Sequence, residues 1–169
     1  RETSYPVAVY KWIAENPSGR PAEVSVMLTW QNMVGWEPAS RSVPSDFVWD
    51  RMSGGQYNEF VQDGTAKAIV FRKKDADPKS GNALTGTMCI AASEVPGRTA
   101  VTYHADFDPA KDGAEVWSRF AAAGALSNSA VSRTASSGES LAGAITVKVT
   151  LKPHERVEFP IVIAWDFPY

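Results

Sequence analysis

The chain has 169 residues, of which 44% are apolar and 21% charged, with a net charge of −2. That is enough polypeptide for one soluble globular domain, which at this size buries roughly 70% of its unfolded surface. The charge balance gives no basis for nucleic acid or an anionic membrane surface as partner, because both demand clustered Lys and Arg. The densest basic run, Arg72-Lys73-Lys74, is followed at once by Asp75 and Asp77 and reads as a solvated loop. No apolar run approaches the ~20 residues of a membrane-spanning helix, so no transmembrane segment is expected.

The first forty residues read as a strand pair. "YPVAVYKWIAEN" is rich in β-branched and aromatic residues, "NPSGRP" is dense turn chemistry, and "AEVSVMLTW" alternates again. In the second run Val24, Val26, Leu28 and Trp30 share one face, and Met27 on the other signals that this face is partly covered too. Residues 31–66 show no clean period, yet they carry Trp36, Phe47, Trp49, Tyr57 and Phe60. A segment so aromatic is expected to be packed.

Strand patterns resume at "AKAIVFRK", "TGTMCIAAS" and "RTAVTYHADF", the last with Val101, Tyr103, Ala105 and Phe107 on one face. "AEVWSRFAAAG" then predicts a helix with Val116, Trp117, Phe120 and Ala121 on one stripe. Asp112 and Glu115 have capping-box spacing, Asp108-Pro109 offers an alternative start, and Gly124 suits the C-terminal cap. Two final runs, "LAGAITVKVTL" and the residues from Val157 to Trp165, read as a hairpin closed by Lys152 to Arg156. The register that keeps both apolar sets on one face pairs Leu151 with Val157 and Val147 with Ile161, and places Gly143 opposite Trp165. About seven strands and one helix, without strand–helix alternation, predict a mainly β protein: an antiparallel β-sandwich with one short α-helix.

The residue chemistry is sparse. One cysteine, Cys89, excludes an internal disulfide and reads as an inert buried thiol, which suits a reducing, cytoplasmic compartment. His104 and His154 have no second ligand at metal spacing, so neither a metal nor a cofactor is expected. Asp106, Asp108 and Asp112 are better explained by a strand end and a helix cap than by a calcium loop. Asp46, Asp50, Glu59 and Asp63 lie among the aromatics of the irregular segment, where a sugar could stack. Asp166 alone stands in an apolar setting, between Trp165 and Phe167. Taken alone, these residues make no active site.

Three segments in order, "ENPSGRPAEVSVMLTWQN", "FDPAKDGAEVWSRFAAAGAL" and "LAGAITVKVTLKPHERVEFPIVIAWDFP", resemble the N-terminal domain of the bile-acid β-glucosidase, or non-lysosomal glucosylceramidase, family. The resemblance runs from about Tyr5 to Pro168 and is most specific at Ala164 to Pro168 and Phe107 to Trp117. It implies a retaining glycoside hydrolase in which a β-sandwich precedes an (α/α)6 barrel, and the barrel carries both catalytic carboxylates. Residues 1–169 are then one β-sandwich domain, cut from a longer enzyme whose barrel is absent, as the start on Arg1 and the end four residues past a strand suggest. No catalytic residue is expected here. The expected role is to pack against the barrel and shape its pocket rim through Trp36, Trp49, Trp165 and Asp166, the substrate being a glucoside or glucosylceramide bound by the parent enzyme. Alternatives are an independent carbohydrate-binding module and a structural or protein-interaction sandwich.

Overall fold

The computed structural model describes residues 5–35, 54–74 and 86–166. Its elements in chain order are β1 (Val7–Glu15), β2 (Ala22–Gln31), β3 (Gln56–Asp63), β4 (Ala66–Lys73), β5 (Thr87–Ser93), β6 (Thr99–Phe107), α1 (Ala114–Ala123), β7 (Ala142–Leu151) and β8 (Arg156–Asp166). Two antiparallel sheets of unequal size face each other: β1-β8-β5-β4-β3 and β2-β7-β6. The expected antiparallel β-sandwich with one short helix is therefore the fold.

Side-chain alternation builds the core. The larger sheet turns Ile69, Phe71, Ile90, Phe159, Ile161 and Ile163 inward, and the smaller sheet answers with Val101, Ile145, Val147, Val149 and Leu151. Each such side chain contributes ~1.5–3 kcal/mol on leaving water. The smaller sheet is also covered on its outer side. There Phe107, Val116, Leu126, Ala142 and Ala144 form a second cluster, with Met27 and Phe120 against it. This explains why the start of β7 is apolar on both faces, and it bears out the reading of Met27.

Both expected strand pairs are corrected. β1 pairs with β8 and β2 with β7, so the connections at residues 16–21 and 152–155 cross from one sheet to the other. Strands joined by such an arch turn the same alternating face toward the core as strands of a hairpin do, so periodicity cannot separate the two. Asn16 fixes the choice. Its side chain is buried, and its Nδ2 donates to Arg20 O at 2.7 Å and to Lys152 O at 2.9 Å, one acceptor in each arch. Its backbone N–H donates to Glu155 O at 2.9 Å.

Gly143 consequently lies opposite Trp30, not Trp165. It is required for a different reason than the expected one. A Cβ there would come 2.8 Å from Ile69 Cγ2 and 3.2 Å from Phe71 Cε1, on the facing sheet. The missing side chain sets how closely the two sheets approach.

Three smaller differences follow from local geometry. Part of the aperiodic segment is regular: β3 carries Tyr57 and Phe60, and Phe60 stacks on Tyr103 with ring centroids 3.7 Å apart. β6 shifts register between His104 and Phe107, which turns Phe107 away from its expected face and onto the helix cluster. On α1, Val116 is buried but Trp117 is 59% exposed. The helix begins after Gly113, with Asp112 Oδ1 accepting from Ala114 N at 2.9 Å, and no side chain caps it in capping-box fashion. Gly124, at φ 61°, closes it by donating to Phe120 O at 2.7 Å, as expected.

Pro160 is accommodated because β5 pairs with β8 only as far as Val162, so no partner on that side needs a proline N–H.

Two measurements check this account. Gly143→Ala should destabilise the protein by about 1–3 kcal/mol in chemical denaturation, because the facing Ile69 and Phe71 must give way; unchanged stability would show that the sheets do not meet there. Glu94 accepts hydrogen bonds from Lys67 Nζ at 2.7 Å and from Val101 N at 3.0 Å. Those bonds, Lys67 first, hold its carboxyl below the ordinary value of 4.5. The stabilisation is present above about pH 4.5 and is lost as the pH falls through the lower, folded-state value. The stability gap between wild type and Glu94→Gln should therefore shrink on acidification below that point, and a gap that widens would refute the assignment.

Candidate functional site

Among the described residues no element lies over the outer face of the five-stranded sheet. Register places the side chains in rows across the strands. One row runs Glu59, Val70, Cys89, Ala164, Val7, and the next runs Val61, Ala68, Ala91, Val162, Val9. Apart from Glu59 the two rows are apolar, and most of their central members are small. Charged groups border them: Glu59 pairs with Arg72 at 2.9 Å, and Lys11 with Glu158 at 3.0 Å.

At the end of the sandwich where β8 terminates, this face deepens into an open groove of about 450 Å³. Cys89 and Ala164 form its floor, and Tyr5, Val7, Val70 and Trp165 line its sides. Trp165 is 37% exposed, its backbone N–H held at 3.0 Å by Pro6 O. Asp166 stands at the rim, exposed, opposite Thr87 in the ladder. The sequence put Asp166 in an apolar setting, but strand alternation turns it to the face opposite Trp165. Of the four expected interface residues, the structure thus brings Trp165 and Asp166 to one groove. Trp36 and Trp49 lie outside the described residues, as do Asp46 and Asp50.

Sequence reading missed the groove, because it forms only when β5 and β1 flank β8. Alternation in β5 separates the buried Met88, Ile90 and Ala92 from Cys89 and Ala91, but only the register aligns the second set with Ala164 and Val7. Burial pushes the Cys89 thiol up from its ordinary value of 9.0, and a backbone hydrogen bond at Ala164 offsets part of that rise.

Several of the acids are engaged elsewhere, with a cation or a backbone donor. Asp106 is held by Arg133, whose backbone N donates to Oδ2 at 2.8 Å. Asp108 and Asp112 accept from Ala110 N and Ala114 N, but the expected helix cap is not formed, since the N-cap position of α1 is Gly113. Glu115 lies 3.3 Å from His104 Nε2, and Glu155 pairs with Arg98. The two displaced carboxyls, Glu94 and Glu155, are both pulled downward, Glu155 mainly by the Lys152 backbone N–H. Neither is poised as a general acid, which needs a raised value. Among the described residues no three His, Cys, Asp or Glu side chains gather as a metal site, and no helix is long and apolar enough to cross a membrane.

Fold and site together define a β-sandwich with one outer face covered by its own helix and the other bare among the described residues, ending in an apolar groove. Over residues 1–169 the chain matches the family model described as "beta-glucosidase 2, glycosyl-hydrolase family 116 N-term". It belongs to that family and is an N-terminal domain of its glycosidases.

The groove floor can be probed through its thiol. An aromatic disulfide reagent should react with Cys89 more slowly at pH 8 than with the unfolded chain, and the rate should keep rising beyond pH 9.0, the ordinary thiol value. A rate that levels off below that pH would place the sulfur in a different environment.

Proposed function

We propose that this chain is the non-catalytic domain of a retaining β-glucosidase or glucosylceramidase, and that it packs against the catalytic domain of the same polypeptide and helps shape the rim of its pocket. The observation that carries this reading is the groove at Trp165 and Asp166. It is apolar, it carries one charged residue, Asp166, and it lies at the end of the last strand. An apolar centre with a polar border is the usual make-up of a protein contact surface. The bare face is also of suitable size. Two rows across five strands, at ~4.8 Å between strands and ~7 Å between rows, span on the order of 300 Å². Doubled for both partners, this fits the low end of intrachain domain contacts, ~600–1,500 Å², and falls short of a typical stable dimer.

The substrate would be a glucoside or glucosylceramide bound in the catalytic domain, and the single free thiol suits a cytoplasmic enzyme. Trp36 and Trp49 are proposed to extend the contact along with Trp165 and Asp166.

The test is Ala164→Glu in the parent enzyme, which puts a charge on the groove floor without touching the core. Hydrolysis of an aryl β-glucoside should fall severalfold, and protease cleavage just beyond Asp166 should accelerate. Unchanged turnover and unchanged cleavage would overturn the docking role. If soluble glucan quenched tryptophan fluorescence and Trp12→Ala abolished the quenching, the exposed pair Tyr10 and Trp12 would instead mark a carbohydrate-binding module.

A further inference from the structure

Beside α1, a serine, a histidine and a glutamate from three separate elements converge. His104 lies on β6, where the strand shifts register, and its side chain is only 16% exposed. Its Nδ1 is 2.8 Å from Ser127 Oγ, in the segment after α1. Its Nε2 is 3.3 Å from Glu115 Oε1, in the first turn of α1. None of the three lines the groove at Trp165.

The neighbours assign the imidazole its tautomer. A carboxylate can only accept, so in the neutral ring Nε2 carries the hydrogen that Glu115 receives. Nδ1 then presents a lone pair, and the Ser127 hydroxyl must donate to it. Ser127 thus has its proton hydrogen-bonded to a base that a third group orients, which is the arrangement that activates a serine oxygen. Ser18 and Ser132 differ. The Ser18 hydroxyl meets Asn16 Oδ1 and Arg20 O, and Ser132 Oγ meets Arg133 O and the Asn58 N–H. None of those groups is a base.

Bonds to β6 hold the chain on both sides of Ser127. Leu126 N donates to Thr102 Oγ1 at 2.8 Å, Asn128 Oδ1 accepts from Tyr103 N at 3.2 Å, and Ser129 O accepts from Ala105 N at 2.8 Å. Leu126 is also buried in the cluster with Val116 of α1. Ser127 is therefore fixed beside His104, yet it is exposed and open to a reagent.

We propose that Ser127 is an acyl-accepting nucleophile, with His104 as its base and Glu115 as the residue that positions the imidazole. The donor class is an activated acyl compound, a thioester or an aryl ester. Ser127 Oγ bonds to the acyl carbon, its proton passes to His104 Nδ1, and the C–S or C–O bond of the donor breaks. The proton then goes to the departing thiolate or phenolate, leaving an O-acyl serine. This chemistry is separate from glycoside hydrolysis and does not depend on the groove. Glu115 is 59% exposed, so water screens its charge and its share is the smaller one.

The test treats the full parent polypeptide with p-nitrophenyl acetate at pH 8. Cleavage after Arg119 and Arg133 releases one peptide that holds Ser127, Ser129 and Ser132, so fragmentation compares all three in one spectrum. Ser127 should carry about ten times more acetyl than either neighbour, short of the ~10²–10⁴ that a positioned base can give, because the site is open to water. In urea the preference should vanish. His104→Gln should remove it in the folded protein. Glu115→Ala should lower it about twofold, as befits an exposed pair, and Glu115→Gln, which keeps the acceptor, should restore part of the loss. Equal acetylation of the three serines in the folded wild type, or a preference that survives His104→Gln, would show that these contacts only pin α1 to β6 and would overturn the proposal.

Discussion

Asparagine amides buried at the two ends of the sandwich hold its sheets together, and the arrangement of everything else depends on them. At one end Asn16 links the arch after β1 to the arch after β7 through Arg20 O and Lys152 O. At the other end Asn32 Nδ2 lies 3.0 Å from Tyr57 O, Arg72 O and Asn58 Oδ1, and Asn58 in turn donates to Ala105 O at 2.7 Å. These bonds join the smaller sheet to β3 and β4 of the larger one. A buried amide left without partners costs about 1–3 kcal/mol, so each network favours one crossing pattern over its alternatives. Apolar packing supplies more stabilisation but less direction, since Ile161 and Val147 would be equally buried in a hairpin or an arch.

Once the arches are fixed, the asymmetry of the molecule follows. β1 and β8 go to the same sheet, making it five strands wide, while β2, β7 and β6 make three. The only helix among the described residues lies over the smaller sheet. Among the described residues the larger sheet keeps its outer rows of Val, Ala and Cys uncovered, and β1 exposes apolar side chains on both faces. Groove and bare edge thus share one cause: among the described residues no element lies over them.

The sequence conveyed the elements and their inward faces. Runs such as "AKAIVFRK" and "ITVKVTL" alternate so strictly that strand, length and buried side could be read directly. Partner choice could not be read, because Asn16 and Asn32 look like ordinary loop residues until the acceptors from distant loops are known. β3 was hidden for a related reason. It buries Gln56 and Asn58, which are polar and donate to Val34 O and Ala105 O, so no apolar period marks it. Phe107 was displaced by a bulge that leaves no mark in the pattern. Trp165 and Asp166 were singled out from the ending "AWDFP", yet the groove beside them is assembled from β1 and β5.

The most direct test of the account is an experimental structure of the parent polypeptide. It should show β8 between β1 and β5, with the Val70, Cys89, Ala164 and Val7 row lying beneath another part of the same polypeptide. A β7–β8 hairpin, or that row open to solvent in the complete enzyme, would contradict it.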